Sequence, residues 1–249
     1  MDIKNCVALV TGANRGIGEG FVIELLNAGA SKVYVAARDV SNAAALVEGD
    51  DRLEAITLDV TQPDQIEAAA AHCSDVTLLV NNAGVFVGQP LLGAPNMNAM
   101  RTEMEVNCFG TIAMTRAFAP VIERNGGGGV INVLSAGGIV AVPEMGGYSP
   151  SKFAARAASD CLRAELAPKG IQVSALIVGS VDTRMAAHVT GILKAAPADI
   201  GKAGILAITQ GIDEHDTDPH AIGIRAALAR DPAGLAKRLA MGVGAGKKG

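Results

Sequence analysis

Short apolar runs rich in β-branched residues alternate along the chain with longer Ala- and Leu-rich stretches of helical period. The runs Val7–Val10, Lys32–Ala36, Leu53–Leu58, Thr77–Val80, Val130–Leu134 and Ile171–Ile177 predict strands. They are apolar at nearly every position, as strands covered by helices on both faces are. Helices are predicted over Ile17–Asn27, Pro63–Ala71, Asn98–Glu123 and Ser151–Leu166. Pro63 suits a first helical turn, where its missing N–H leaves no bond unmade. Gly126–Gly129 is a stop between a helix and the next strand, too short for a domain linker. The alternation predicts one α/β domain over residues 1–249, with a doubly wound, mostly parallel sheet flanked by helices.

After Gly179 the pattern loosens. Residues 185–220 mix Ala and Leu with Gly, Pro and acidic residues, and are expected to form a substrate flap followed by a surface segment. Met185, Val189 and Ile192 have helical spacing, and a seventh strand is placed near Ile208–Ile212.

Composition narrows the class. At 249 residues, 49% hydrophobic and 18% charged, the chain can fill one large core. Its formal net charge of -4 leaves no basic stripe for a phosphate backbone, so no nucleic-acid partner is expected, and the tail pair Lys247-Lys248 is too short to change that. Cys6, Cys73, Cys108 and Cys161 lack the spacing of a metal site or a disulfide framework, and are expected as reduced, mostly buried thiols. No apolar run approaches the roughly 20 residues of a membrane span. The N-terminus runs straight into a strand without a leader pattern. The expectation is therefore a cytoplasmic protein.

The first strand leads into Thr11-Gly12-Ala13-Asn14-Arg15-Gly16-Ile17-Gly18 and then a helical pattern. Glycines at such a junction let a pyrophosphate approach the N–H groups and positive dipole of the helix N-terminus, although an ordinary strand-to-helix turn has the same look. The spacing T-G-x-x-x-G-x-G resembles that of the short-chain dehydrogenase/reductase family, carbonyl reductases included. Four further segments agree in order over residues 7–183: Asn81-Asn82-Ala83-Gly84 after the fourth strand, Asn107, Ser135 after the fifth strand, and Tyr148 with Lys152 in Y-x-x-x-K. The resemblance implies a Rossmann-type sheet with coenzyme contacts at Gly12, Asn14, Arg15, Gly16, Ile17, Gly18, Asn81, Ala83 and Gly84. It also implies adenine contacts at Asp59 and Val60, and nicotinamide contacts at Val181 and Thr183. It implies a homodimer or homotetramer as well.

The coenzyme's identity is read from the tip of the second strand, Ala36-Ala37-Arg38-Asp39. A carboxylate there would bond the ribose hydroxyls of NAD, whereas an arginine pairs with the 2′-phosphate of NADP. Ala37 stands where NAD-using relatives carry the acid, and Arg38 follows it. Arg15 is placed to close on the same phosphate. The reading is NADP(H), with Asp39 in the ribose role as the alternative.

Carbonyl reduction needs a proton delivered where a hydride arrives. Tyr148 can deliver it if a cation lowers the cost of phenolate, and Lys152 lies one helical turn away on the same face. Taken singly, the two are equally a boundary tyrosine and a solvated lysine. The resemblance gives Ser135 the substrate oxygen and Asn107 a water link from Lys152 to solvent; the bland alternatives are a turn former and a surface amide. One departure stands out: the family's usual Pro-Gly after the sixth strand is Val178-Gly179 here. Asp213–His220 gathers carboxylates and imidazoles, but an acidic solvated loop is expected and no metal. His72 and His188 suggest no more than surface or pocket lining.

The leading reading is an NADP(H)-dependent oxidoreductase acting on a small-molecule ketone, aldehyde or secondary alcohol. Apolar lining over Gly84–Pro95 and Ala136–Gly147 leans toward a hydrophobic one. The alternative is a non-catalytic NADP(H)-binding sensor or scaffold. A nucleotide-sugar epimerase would need a larger C-terminal region.

Overall fold

A computed structural model of the protein describes residues 1–241; Lys247 and Lys248 lie outside them. The strands β1 (Val7–Thr11), β2 (Lys32–Ala37), β3 (Leu53–Thr57), β4 (Leu78–Asn81), β5 (Gly128–Val133), β6 (Ile171–Ile177) and β7 (Glu214–Asp216) form one sheet. Its order is β3-β2-β1-β4-β5-β6-β7, and every neighbouring pair is parallel. The chain winds outward from β1 in one direction and from β4 in the other. Such a reversal opens a crevice at the carboxyl ends of β1 and β4.

The inner strands β1, β2, β4, β5 and β6 are largely apolar on both faces because helices cover both. On one face α1 (Gly16–Asn27), the short α2 (Ala44–Val47) and α7 (Pro197–Gln210) pack Phe21, Val22, Leu25, Ile200 and Ile208 against Ala8, Val10, Val33 and Leu176. On the other, α3 (Pro63–His72), α5 (Thr111–Arg124) and the end of α6 (Tyr148–Leu166) set Ile66, Met114, Phe118, Ile122 and Leu166 against Leu9, Leu79, Val130 and Val173. The predicted helix over 98–123 is divided: α4 (Asn98–Met104) runs through a π-helical stretch, Glu105–Gly110, into α5.

Three expectations are overturned after residue 195. The run near Ile208–Ile212 is the end of helix α7 and not a strand. Residues 197–210 are a core helix and not part of a flap, with Ile200, Gly201, Gly204, Ala207 and Ile208 buried at helical spacing. Gly201 and Gly204, which look like loop residues in sequence, are contact glycines. A Cβ on Gly201 would lie 2.8 Å from Gly20 O, and one on Gly204 would lie 2.5 Å from the Phe21 ring. Met185, Val189 and Ile192 fall among turns and bends, with no helix between residues 184 and 194.

The crossing of α1 and α7 is close enough to predict a consequence. A Cβ on Gly20 would lie 2.5 Å from the Pro197 carbonyl oxygen. Gly20→Val therefore forces the two backbones apart and should cost about 1–3 kcal/mol, seen as a melting temperature lower by about 2–4 °C per kcal/mol. An unchanged melting temperature would contradict the crossing.

The seventh strand is Glu-His-Asp, which no hydrophobic pattern marks. Polar pairing holds it: Arg225 donates to Glu214 Oε1 (2.8 Å) and Asp216 Oδ2 (2.6 Å), and Arg156 of α6 donates to Glu214 Oε1 (3.0 Å). Burial pushes the Glu214 carboxyl up, but the two guanidinium groups more than offset it and hold it below the usual range. Asp218 is buried and caps α8 (Pro219–Arg230) by accepting from His220 N and Ala221 N. The segment 213–220 is thus a pinned edge strand and helix cap, not a solvated loop. Helix α9 (Pro232–Ala240) follows directly. Cys6, Cys73 and Cys108 are buried and free, and Cys161 is exposed.

Candidate active site

The crevice is built from the segments that leave the strands at their carboxyl ends. After β1, Gly12 and Gly16 have φ of +63° and +57°, left-handed conformations that glycine adopts without strain. A Cβ on Gly18 would collide with Gly12 O and approach Ala13 Cα to 2.8 Å. Arg15 begins α1 in extended conformation with no side-chain cap, so the first-turn N–H groups are left to bind an anion. Thr11 and Asn82, which stand in the motifs without an assigned role, lace this turn to the segment after β4. Thr11 Oγ1 accepts from Asn82 N and Ala83 N, both at 2.9 Å, and Asn82 Nδ2 donates to Thr11 O at 2.8 Å.

At the tip of β2, Arg38 is exposed, and among the described residues no carboxylate pairs with it or with Arg15. Asp39 is occupied. Its carboxylate accepts from Ser41 N (3.0 Å), Ser41 Oγ (2.7 Å) and Asn42 Nδ2 (3.0 Å), and the Ser41 hydroxyl chiefly holds it below its ordinary value. Asp59 is likewise used locally, accepting from Thr61 N and Oγ1, and the Val60 side chain is buried beneath Gly110. Asn14 and Ile17 are half-buried in and just after the glycine turn.

The segment after β4 reaches Asn107 and Lys152. Asn81 turns its side chain into the interior, donating to Thr115 Oγ1 (3.1 Å) and Asn132 Oδ1 (2.9 Å), so only its backbone faces the crevice edge. A Cβ on Gly84 would lie 3.2 Å from Asn107 Oδ1 and 3.7 Å from Lys152 Nζ. Gly84, Asn107 and Lys152 therefore meet. Asn107 sits in the π-helical stretch, a feature frequent at functional sites. It accepts from Val85 N (2.8 Å) and donates to Val85 O and Ser151 Oγ, both at 3.0 Å. The asparagine thus clamps the β4 segment to the start of α6.

Tyr148 is the first residue of α6, and Lys152 follows one turn later. Lys152 is buried, donates from Nζ to Val133 O at 3.0 Å, and stands 5.8 Å from the Tyr148 ring centre. Burial lowers its pKa to about 8. Ser135 follows β5 and accepts from Gly137 N at 3.1 Å. A Cβ on Gly137 would lie 3.5 Å from both Ser135 Oγ and Tyr148 Cε1, so the two residues meet beside this glycine. Burial raises the Tyr148 pKa, the Ser135 hydroxyl opposes that rise, and the Glu103 charge adds to it. Glu103 is a residue that no motif marks. It is fully buried, accepts from Val87 N at 2.7 Å through Oε1, and its Oε2 has no partner among the described residues.

The balance has a chemical meaning. At pH 7 the phenol keeps its proton and the lysine is mostly an ammonium, which is the state of a proton donor backed by a cation. Phe86 stands edge-on to Tyr148 at 5.3 Å and stacks with His188 at 5.4 Å, walling the phenol on the side of residues 184–194. Val181 is buried and bridges to Ala195, and Thr183 Cγ2 lies 3.3 Å from where a Gly16 Cβ would be. The segment after β6 thus closes against the glycine turn. Among the described residues, no helix is long and apolar enough to cross a membrane.

The fold and the sequence are similar to those of known proteins. A chain from Burkholderia cenocepacia J2315, a short chain dehydrogenase solved in complex with NADP, superposes with a TM-score of 0.90 at 41% identity, over 96% of this chain and 99% of that one. The 1-deoxy-11-beta-hydroxypentalenate dehydrogenase of Streptomyces exfoliatus is 34% identical over 203 residues, 76% of this chain and 72% of that protein. The uncharacterized oxidoreductase YusZ of Bacillus subtilis (strain 168) is 32% identical over 200 residues, 78% of this chain and 71% of that protein. A family model described as short chain dehydrogenase matches residues 6–191. The chain belongs to the short chain dehydrogenase family of oxidoreductases.

Proposed function

We propose that the protein is an NADP(H)-dependent carbonyl reductase or alcohol dehydrogenase, with Tyr148 as the general acid in reduction and the general base in oxidation. The observation that carries this is the convergence of Tyr148, Lys152 and Ser135 beside the β1/β4 crevice. The residues fit a dinucleotide: a cradle that any Cβ would fill at Gly18, an uncapped helix start, and two arginines nearby that pair with no carboxylate among the described residues. Because Asp39 is committed to Ser41 and Asn42, the ribose role is left without its carboxylate, and Arg38 with Arg15 favours a 2′-phosphate. The relative solved with NADP agrees.

The bound coenzyme supplies or accepts the hydride. Ser135 orients the substrate oxygen, Tyr148 Oη gives it a proton, and the Lys152 ammonium stabilises the phenolate that remains. Asn107, through Ser151 and Val85, keeps the phenol, the ammonium and Gly84 in register, which limits the reorganisation needed during reaction. The walls at Phe86 and Val87 favour an apolar carbonyl substrate. The protein is placed as a single oxidoreductase domain that works as a homo-oligomer in the cytoplasm.

Purified protein should consume NADPH, and NADH more weakly, in a manner that depends on the carbonyl offered from a panel of ketones and aldehydes. Reduction requires a charged Lys152. Its lowered pKa means that charge is lost as pH rises, so the rate should decline through about pH 8. A rate that climbs through that range, or coenzyme consumption indifferent to the carbonyl, would contradict the assignment.

A further inference from the structure

Where the family usually has Pro-Gly after the sixth strand, this chain has Val178-Gly179. Val leaves φ less restricted than proline does, yet the segment that follows, 179–183, is expected to carry the nicotinamide contacts Val181 and Thr183. In place of the proline, the structure holds this segment from the C-terminal side. Gly179 N donates to Asp218 Oδ2 at 2.6 Å, and Thr217 Oγ1 donates to the same oxygen at 3.0 Å. The approach leaves no room for a side chain: a Cβ on Gly179 would lie 2.7 Å from Ala221 N and 2.9 Å from His220 Cβ. One residue later, Ser180 Oγ and His220 Nδ1 are 3.0 Å apart, the hydroxyl donating when the ring carries its proton on Nε2. Ser180 is buried. Its backbone oxygen also accepts from Ala195 N at 2.9 Å, and Ala195 O accepts from Asp182 N at 2.9 Å.

These contacts have different duties. Asp218 caps α8 with Oδ1 and would be kept for that alone. The His220 ring, by contrast, has Ser180 as its hydrogen-bond partner among the described residues and takes no part in a cap. A side chain at the second position of α8 thus reaches across to the strand-end segment whose far end, Thr183, packs against Gly16 of the glycine turn. We propose that His220, acting through Ser180, is a positioning residue that fixes segment 179–183 and thereby the nicotinamide end of the coenzyme site. This rests on the NADP(H) reading of the site.

The test compares two ligands on the full-length protein. NADPH has the nicotinamide, and 2′-phospho-ADP-ribose has the adenosine, phosphates and ribose without it. Losing one hydrogen bond from the segment should weaken NADPH binding about threefold to tenfold in His220→Ala and in Ser180→Ala. Binding of 2′-phospho-ADP-ribose should stay within about twofold. The double variant should be no weaker than either single one, because both remove the same bond. His220→Asn, which keeps a polar atom near the Nδ1 position, should recover most of the loss. Unchanged NADPH affinity in both single variants overturns the proposal, and so does an equal loss for both ligands, which marks a general loosening. Wild-type protein that takes up neither ligand overturns the coenzyme reading itself.

Discussion

Tyr148→Phe should lower carbonyl turnover by about 10²–10⁴-fold while leaving NADPH affinity nearly unchanged. The substitution removes one oxygen and keeps the ring, so the edge contact with Phe86 and the start of α6 survive. What disappears is the only phenolic proton beside Ser135 and Lys152; the chain's other tyrosine, Tyr34, lies within β2. Lys152 cannot easily stand in, because its Nζ is committed to Val133 O and it lies 5.8 Å from the ring centre. The loss should fall on kcat, since the phenol's proton matters most as charge develops on the substrate oxygen. A variant with full turnover would remove Tyr148 from the mechanism, and one that also fails to bind NADPH would point to a damaged site.

Arg38→Asp should weaken NADPH binding by about 10- to 100-fold and leave NADH binding equal or improved. The lower end is the loss of one charge-assisted hydrogen bond, about 1.5–3 kcal/mol. The upper end adds repulsion between the new carboxylate and a 2′-phosphate. That carboxylate could bond the ribose hydroxyls of NADH, which the native Asp39 does not do because Ser41 and Asn42 hold it. Equal weakening of both coenzymes would remove the assignment of NADP(H). Arg15 tempers the effect, since it remains to meet the same phosphate, so Arg15→Ala on top of Arg38→Asp should deepen it.

Most of the sheet was legible in the sequence because parallel strands buried on both faces are continuous apolar runs. Ile171–Ile177 was predicted to the residue, and the first five strands to within two. What failed lay where burial is not apolar or where apolarity is not strand. β7 is three polar residues held by Arg156 and Arg225, invisible to a hydrophobic pattern, while the run near Ile208–Ile212 reads as a strand but is the end of helix α7. Gly201 and Gly204 suggested a loop because sequence does not distinguish a turn glycine from one that admits a neighbouring helix.

The site divides in the same way. Motif spacing located Gly12, Gly18, Ser135, Tyr148 and Lys152, and the fold brings them to one edge. It did not say which atoms of a motif point where: Asn81 turns inward to Thr115 and Asn132, Val60 packs under Gly110, and Asp59 serves Thr61. Thr11 and Asn82, which stand in the motifs without an assigned role, and Glu103 and Ser151, which no motif marks, act by holding others through bonds between distant segments. Such partners can be named only once the segments are side by side.

In the proposed reaction a hydride passes between the nicotinamide of a coenzyme seated on the glycine turn and a carbonyl carbon beside Tyr148. The most direct measurement is a reaction with NADPH deuterated at the transferable position of nicotinamide C4, followed by mass analysis of the alcohol formed. The alcohol should carry the deuterium on its carbinol carbon. An unlabelled alcohol, or no alcohol from any carbonyl tried, would contradict it.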